Sequence, residues 1–376
     1  MGTLRTRSTK AVWAVHRWLG LLLGAFILVI SATGGLLVVQ REIGEVTGHA
    51  VTIVTPRPLR APLATILSNV QTRAPAGMRL RSLIFDPDPA HSIRIQLTKL
   101  ALRPRYVNAL ENRLMYASVD PYTGRVLDFR DENSVPDRWI RTLHVSLFAG
   151  RIGVIVTTLA AFTLLIQCFT GIWIYRGALT GLWKHPFRRR LGWRTALRDL
   201  HRWLGVGGLA LNLIWGATGA YMMVYSLPSL LASPAFSNQE NRIAWDVKSA
   251  PALEALVVEA RRHFPTAELG SIDLPLFLGE PITVSLLQRN AAVWAKFPSV
   301  QFDSATGALL RVIRPEDASF WAKTQASIKP LHFGFFGSIW TKWVYFVAAW
   351  VPALLALSGL LICKSSTPAS ITGRRK

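Results

Sequence analysis

One short motif occurs twice in the chain, as VHRWLGLLLGAF at residues 15–26 and as LHRWLGVGGLAL at residues 200–211. Each copy lies where a basic segment gives way to a long apolar run. Sixteen residues after each histidine comes a group of small residues, ATGG at 32–35 and ATGA at 217–220. Because the same features recur in the same order, the chain reads as an internal duplication.

Four stretches without a charged residue indicate membrane-spanning helices, since a helix needs about 20 residues to cross a hydrocarbon core of about 30 Å. They cover residues 19–39, 152–175, 204–231 and 343–363. The sequence thus predicts a membrane protein, mostly α-helical, with four transmembrane helices. We expect the first to be an uncleaved helix, because its apolar stretch is too long for a signal peptide and no small-x-small cleavage site closes it.

The net charge of +22 is concentrated beside the apolar runs. The N-terminus, the segment 176–202 and the C-terminus together hold sixteen basic residues and one acid, whereas residues 227–335 hold ten of each. Basic residues mark cytoplasmic segments of membrane proteins. The charge therefore predicts a multi-pass membrane protein with both termini in the cytoplasm, and it argues against a nucleic-acid partner.

The second pair of apolar runs repeats as well. His144 and His332 are each followed 27 residues later by a glycine, Gly171 or Gly359. The turns DPYTG at 120–124 and DSATG at 303–307 match between the halves. Each half is therefore helix, external domain, helix. Since both halves have two crossings, they share one orientation and are expected to be related by a pseudo-two-fold axis along the membrane normal.

The two external regions are predicted to be small α+β modules. Residues 62–71 and 251–263 have helical periodicity, and 92–97 and 281–287 alternate as strands do. The Asp-x-x-Thr-Gly pieces suit hairpin turns.

The complete predicted order follows from these segments. It is a cytoplasmic N-terminus (1–17), a first span (18–40), a first extracytoplasmic domain (41–143), a second span (144–176), a basic cytoplasmic loop (177–198), a third span (199–226), a second extracytoplasmic domain (227–335), a fourth span (336–363) and a cytoplasmic C-terminus (364–376).

The HRWLG starts, the TGIW and LHFGFFG patterns and the D-x-x-T-G-x-x-L turns resemble the PepSY-associated transmembrane helix family over nearly the whole chain. The resemblance implies four transmembrane helices and two PepSY-like extracytoplasmic domains. Because the family includes inner-membrane siderophore reductases and related iron-uptake proteins, the resemblance also implies a place in the bacterial inner membrane and two haems in a reductase, with a ferric siderophore as the substrate.

Four of the eight histidines occupy repeat-paired positions, His16 with His201 and His144 with His332. Under a two-fold axis along the membrane normal, the members of each pair lie at one depth, the first pair on the inner side and the second on the outer side. Two imidazoles that face each other can supply both axial ligands to a haem iron. We therefore predict two haem b groups per chain. A lone histidine at a helix mouth is more often a hydrogen-bonded residue, but the symmetry argues against that reading here.

Each residue beside the inner histidines has two possible roles. Arg17 and Arg202 could pair with haem propionates, since arginine binds carboxylates in a bidentate manner, or could be ordinary cytoplasmic-side charges. The glycines at 20, 24, 205 and 208 could admit a macrocycle or a neighbouring helix. Zinc or copper is the rival for the histidines, but two imidazoles without a carboxylate or thiolate make a poor closed site. The remaining histidines, with no repeat partner, receive no role: His49, His91, His185 and His263.

The leading functional hypothesis is a dihaem oxidoreductase that reduces a ferric siderophore outside the cytoplasm. No catalytic residue can be named, and no flavin or nicotinamide motif is evident, so electrons are expected from quinol or a cytoplasmic reductase. Two alternatives remain: a permease for small substrates, although no apolar run carries a charge that could couple ions, and a membrane-anchored sensory or inhibitory protein. Cys168 and Cys363 form neither a disulfide framework nor a CxxC site and are taken as structural.

Overall fold

A computed structural model describes residues 2–46, 53–99, 114–131, 136–179, 188–231, 246, 248 and 251–364. The described residues form two compact units. A helical unit draws on three stretches of the chain, within 1–39, 140–227 and 331–376, and a sheet unit draws on the two stretches between them, within 40–139 and 228–330.

Helices make up the first unit and also form part of the second. In chain order they are α1 (Gly2–Val38), α2 (Gln40–Val46), α3 (Leu63–Arg73), α4 (Pro136–Ser146), α5 (Gly150–Leu179), α6 (Trp193–Gly207), α7 (Leu209–Leu231), α8 (Leu253–His263), α9 (Phe320–Phe333), α10 (Ile339–Ala348) and α11 (Trp350–Lys364). Single 3-10 turns lie at Arg189–Leu191, Val293–Ala295 and Pro315–Asp317.

Strands occur in the second unit. They are β1 (Met78–Ile84), β2 (Ile93–Lys99), β3 (Leu114–Val119), β4 (Val126–Asp131), β5 (Glu268–Asp273), β6 (Ile282–Leu287), β7 (Ser299–Phe302) and β8 (Leu309–Ile313).

Among the described residues, three helical stretches rather than four are long and apolar enough to cross a membrane, Ser8–Val38, Gly150–Arg176 and Ile339–Cys363. The chain is a membrane protein, but the prediction of four equivalent spans needs correction at the third. Residues 199–226 are not one helix: α6 ends at Gly207 and a shorter apolar stretch, Leu209–Tyr225, follows.

The break at Gly208 has a local cause. Consecutive glycines at 207 and 208 weaken the helix, since glycine costs about 1 kcal/mol relative to alanine in a helix interior. Gly208 departs from helical geometry, with φ −90° and ψ 0°. A Cβ added to it would lie 2.6 Å from Cγ1 of Val351 in α11, so only glycine fits this close approach.

In the helical unit, α1 packs against both α5 and α11, and α6 packs against α11 and α5. The first helix of one repeat therefore contacts the last helix of the other. This arrangement brings the HRWLG segments of α1 and α6 into the same bundle.

The second and fourth predicted spans are each preceded by a separate helix. His144 lies in α4, which ends at Ser146, and α5 begins only after Leu147 and Phe148 adopt positive φ values of 50° and 57°. His332 lies in α9, which ends at Phe333 before Gly334 turns the chain with φ 77°. The outer histidines thus end a short helix instead of starting a span, which corrects the predicted boundaries at 144 and 336.

Each repeat supplies the predicted α+β module, and the two modules share one sheet. The eight antiparallel strands of this sheet lie in the order β4-β3-β2-β1-β5-β6-β7-β8. The halves join where β1 pairs with β5, with Ser82 opposite Asp273 and Ile84 opposite Ser271. Four strands from each repeat therefore share one sheet, and the duplication is visible in the mirrored strand order.

One apolar core runs under both halves of this sheet. From the first repeat, Ile66 and Val70 of α3 pack in the same cluster as Ile95 of β2. From the second, Leu256 of α8 and Val284 of β6 continue that cluster. The helices and strands predicted within 62–71, 92–97, 251–263 and 281–287 are present, with ends shifted by a few residues.

The repeated Asp-x-x-Thr-Gly pieces form tight turns between paired strands, as predicted. The Asp303 carboxylate accepts hydrogen bonds from the backbone N–H of Thr306 (2.8 Å), from its hydroxyl (2.8 Å) and from the N–H of Ala305 (3.0 Å). Gly307 follows with φ 74°, a conformation that favours glycine. Asp120 makes the equivalent contacts in the first repeat.

Candidate functional site

The inner predicted pair is brought together inside the helical unit. His16 of α1 and His201 of α6 face each other with ring centroids 6.4 Å apart and ring planes at 83°. Both side chains are partly buried. The HRWLG repeat therefore places one imidazole from each half at the same point in the bundle, as the two-fold argument predicts.

The outer predicted pair has the same separation. His144 of α4 and His332 of α9 lie with ring centroids 6.4 Å apart and ring planes at 59°. The pairing runs across the repeats at both levels: each histidine faces its counterpart from the other half of the chain.

The Nδ1 atom of each of these four histidines is hydrogen-bonded to a hydroxyl group on a neighbouring helix. The distances are 2.8 Å from His16 to Thr170, 3.2 Å from His144 to Thr33, 2.8 Å from His201 to Ser358 and 2.8 Å from His332 to Thr218. The hydroxyl comes from the same repeat as its histidine, whereas the facing imidazole comes from the other repeat. With Nδ1 engaged, Nε2 is the nitrogen left for a ligand.

A glycine follows each of these hydroxyl residues and lies beside the imidazole. A Cβ added at Gly34 would be 3.0 Å from Cε1 of His144, and at Gly219 it would be 3.4 Å from Cε1 of His332. At Gly359 and Gly171 the corresponding distances to His201 and His16 are 3.6 and 3.8 Å. The glycines allow the ring to lie against the backbone of the adjacent helix, most closely at Gly34.

The spacing within each pair leaves room for one metal atom between the rings. A metal bound by an imidazole nitrogen lies about 2.0–2.1 Å from it, and the ring centre is about 1 Å further away, so two imidazoles on opposite sides of one metal have centres about 6 Å apart. The observed 6.4 Å agrees with that arrangement at both levels. Direct stacking of the rings is excluded by the steep angles between their planes.

A cavity of about 430 Å³ adjoins the inner pair, which is the size of a typical small-molecule site. Apolar residues of α1, α5, α6 and α11 supply most of its wall. Four glycines were predicted from the sequence to admit a macrocycle or a helix. Three of them line this cavity, namely Gly20, Gly24 and Gly205, whereas Gly208 packs against α11. Cys168 and Cys363 are free thiols on the same wall.

Both arginines predicted beside the inner histidines line this cavity, as does Arg198. Arg17 is exposed. Arg202 is 11% exposed and its Nη2 lies 3.2 Å from Oδ1 of Asp199, whose carboxylate also accepts hydrogen bonds from Arg188. Asp199 is the one acid of the basic segment, and it holds Arg202 in place at the cavity wall.

The histidines left without a role are placed elsewhere or are not described. In the sheet unit, His91 lies 3.2 Å from Asp86 and 2.9 Å from Arg41, and His263 lies 3.5 Å from Glu259. His49 and His185 lie outside the described residues. Within the part of the chain that the structure describes, no three His, Cys, Asp or Glu side chains come together as a metal site.

Sequence reasoning missed the hydroxyl partners. Their signal was present: Thr33 and Thr218 stand inside the repeated ATGG and ATGA pieces, and Thr170 and Ser358 precede the glycines of the matching helices. The four hydroxyl-glycine pairs were read only as markers of duplication. Asp199 was counted only as a charge, although it is almost fully buried.

Comparison with known proteins gives a relative and a family for this chain. An uncharacterized Pseudomonas aeruginosa protein, PA4219, is 26% identical to the chain over 245 residues, which are 59% of this chain and 60% of the relative. The match thus spans about three fifths of that relative's length. A family described as the PepSY-associated TM region matches residues 13–364. Since this match includes both HRWLG segments and the whole sheet unit, the chain belongs to the PepSY-associated transmembrane family.

Proposed function

We propose that the protein is an inner-membrane dihaem oxidoreductase that carries electrons across the membrane and reduces a ferric siderophore on the outer side. The observation that carries the proposal is the presence of two facing imidazole pairs, each 6.4 Å between ring centroids and each built from both repeats. One haem b would be held by His16 and His201, and a second by His144 and His332.

The donor set supports haem over a closed zinc site. Structural zinc takes four protein ligands in a tetrahedron. Each pair here offers two imidazoles that face one another, and no third ligand joins them among the described residues. A haem iron needs only two axial ligands from the protein, because the macrocycle supplies the other four.

The surroundings of the inner pair also suit a haem. Glycines in the cavity wall let a flat ring approach the helices, and the apolar lining suits a porphyrin. Arg17, Arg198 and Arg202 give the wall a positive charge that would attract propionates. Asp199 orients Arg202 and offsets only part of that charge.

In such a protein the bound haem supplies one-electron chemistry, with a potential set by its axial ligands and surroundings. The chain's own part is to bind and orient. Its imidazoles hold the two sites at two levels of the bundle, the hydroxyls fix the ring angles, and the apolar helices exclude water. Reduction of ferric to ferrous iron would weaken its binding to hard oxygen ligands, which releases it from a siderophore.

The topology that accompanies the proposal has four crossings, with α7 as a shorter third span and both termini in the cytoplasm. It rests on the basic segments beside α1 and α6. The inner pair then faces the cytoplasmic side and the outer pair the external side. Electrons would enter from quinol or a cytoplasmic reductase.

The first test is spectroscopic. Protein purified in detergent from haem-replete cells should be red, with about two haems per chain, a low-spin six-coordinate spectrum and a Soret band that shifts on reduction with dithionite. His91→Ala is a matched control, because it removes a histidine that lies in the sheet unit, and it should keep both haems. A colourless wild-type protein would refute the proposal.

A further inference from the structure

The four hydroxyls beside the histidines share a second contact that decides what they can do. Each donates its hydrogen to a backbone carbonyl of the preceding turn of its own helix. The distances are 2.7 Å from Thr33 to Val29, 2.7 Å from Thr170 to Ile166, 2.6 Å from Thr218 to Ile214 and 3.0 Å from Ser358 to Leu355.

A hydroxyl has one hydrogen and two lone pairs. Once the hydrogen is donated to the carbonyl, the oxygen can only accept from the imidazole. The hydrogen between the hydroxyl oxygen and the imidazole must therefore come from Nδ1 of the histidine, which leaves the lone pair on Nε2. The helix backbone thus selects the tautomer through the hydroxyl.

His144 gives an independent check of this assignment. Its Nδ1 lies 2.8 Å from the carbonyl oxygen of Ile30, shorter than its 3.2 Å contact with Thr33. A carbonyl oxygen has no hydrogen to give, so Nδ1 of His144 is the donor. The equivalent atom at each of the other three histidines contacts a hydroxyl that is itself already donating.

We propose that Thr33, Thr170, Thr218 and Ser358 are positioning residues that fix each imidazole as the Nδ1–H tautomer, aim its Nε2 lone pair at the facing ring and set the reduction potential of the site. The part that concerns potential rests on the proposed haem function. Symmetry supports the assignment, because the four residues are equivalent in pairs under the repeat and none departs from the pattern.

The direction of the effect follows from the hydrogen bond. An acceptor at Nδ1–H makes the ligating nitrogen more electron-rich. A more electron-rich ligand stabilises the ferric state more than the ferrous state and therefore lowers the potential. Removing the acceptor should raise the midpoint potential of the haem concerned, and it should leave the other haem unchanged.

The outer pair contains its own control. Among the described residues, the Thr218 hydroxyl is the hydrogen-bond partner of Nδ1 of His332, at 2.8 Å, whereas Nδ1 of His144 keeps the Ile30 carbonyl when Thr33 is changed. Thr218→Val should therefore raise the midpoint potential of the outer haem more than Thr33→Val does. Thr218→Ser keeps the hydroxyl and should restore the wild-type value.

The experiment is a potentiometric titration of the purified full-length protein, with haem content measured on each sample. The outer haem is identified as the component that His332→Ala removes. The inference is supported by a raised outer potential in Thr218→Val, a smaller change in Thr33→Val and recovery in Thr218→Ser. Loss of the outer haem from Thr218→Val that Thr218→Ser reverses supports it as well.

Two results would overturn the inference. One is an unchanged outer potential in a haem-loaded Thr218→Val protein. The other is a defect that Thr218→Ser reproduces, which would mean that the side chain matters for packing and its hydroxyl does not. A wild-type protein without haem would instead refute the proposed function, so the two failures are distinguishable.

Discussion

At the level of single residues, each candidate ligand is contacted on three sides. His144 shows all of them: a facing imidazole from the other repeat, a hydroxyl and a carbonyl at Nδ1, and Gly34 beside Cε1. A ring restrained on three sides has little freedom to turn. Histidine orientation in metal sites depends on such outer contacts as much as on the bond to the metal.

The glycines should differ in their tolerance of a methyl group. Gly34→Ala places a Cβ 3.0 Å from Cε1 of His144 and must displace the ring, whereas Gly171→Ala leaves 3.8 Å to His16. Overpacking typically costs about 1–3 kcal/mol, so we expect the outer haem to bind about tenfold or more weakly in Gly34→Ala. Haem transfer to an excess of apomyoglobin measures this, and equal losses from Gly171→Ala and Gly34→Ala would contradict the geometry.

At the scale of elements, sequence periodicity located most helices and strands but not how they combine. The apolar runs predicted α1, α5 and α11, because a long uncharged stretch has few alternatives to a membrane helix. The break at Gly208 was missed although the consecutive glycines at 207 and 208 weaken the helix locally, because the close approach of Gly208 to Val351 of α11 is a contact that no local pattern contains. The β1–β5 pairing was missed for the same reason, since the sequence of neither strand specifies which strand it pairs with.

The repeated turns offer a prediction at this scale. Hydrogen bonds from the Thr306 backbone, the Thr306 hydroxyl and the Ala305 backbone lower the pKa of Asp303 below its ordinary value. A carboxyl with a lowered pKa adds stability above its unfolded pKa of about 4, and that stability is lost as the pH falls through the folded value. The melting temperature of wild type should therefore exceed that of Asp303→Asn near pH 7, and the gap should narrow below about pH 4.

Circular dichroism of the sheet signal in the full-length protein provides the measurement. Asp120→Asn is the matched variant in the first repeat. Partial burial acts to raise the pKa of Asp120, but hydrogen bonds from the Thr123 hydroxyl and two backbone N–H groups outweigh it, and the pKa is lowered. It should show the same narrowing. A gap that stays constant down to pH 3 in both variants would rule out the hydrogen-bonded carboxylate as its source.

At the scale of the whole molecule, duplication explains both the site and the sheet. The repeat predicted which histidines would meet, since a two-fold axis pairs equivalent positions, and the ring separations of 6.4 Å at both levels agree with that pairing. The same duplication gives the mirrored strand order. The repeat did not reveal that each histidine also depends on a hydroxyl within its own half, because that contact joins different positions of the motif.

If the two histidine pairs hold haems as proposed, a mutation in one pair should affect only the haem of that pair. His144→Ala or His332→Ala should remove or unligate the outer haem and abolish reduction of an externally added ferric complex, while the inner haem stays bound. His16→Ala or His201→Ala should spare the outer haem. Reduction driven by quinol or cytoplasmic electrons should then be lost, although chemical reduction from outside still works.

Under the proposed function, each substitution would take away one of the two imidazoles that hold a haem, and the facing imidazole could not keep a six-coordinate site by itself. Haem content and optical spectra of the four variants, each measured against wild type, give the answer. His16 and His144 belong to the same repeat yet face different partners. If His16→Ala and His144→Ala emptied the same haem, the ligands would have to lie along one repeat, and the two-fold arrangement of the sites would be wrong.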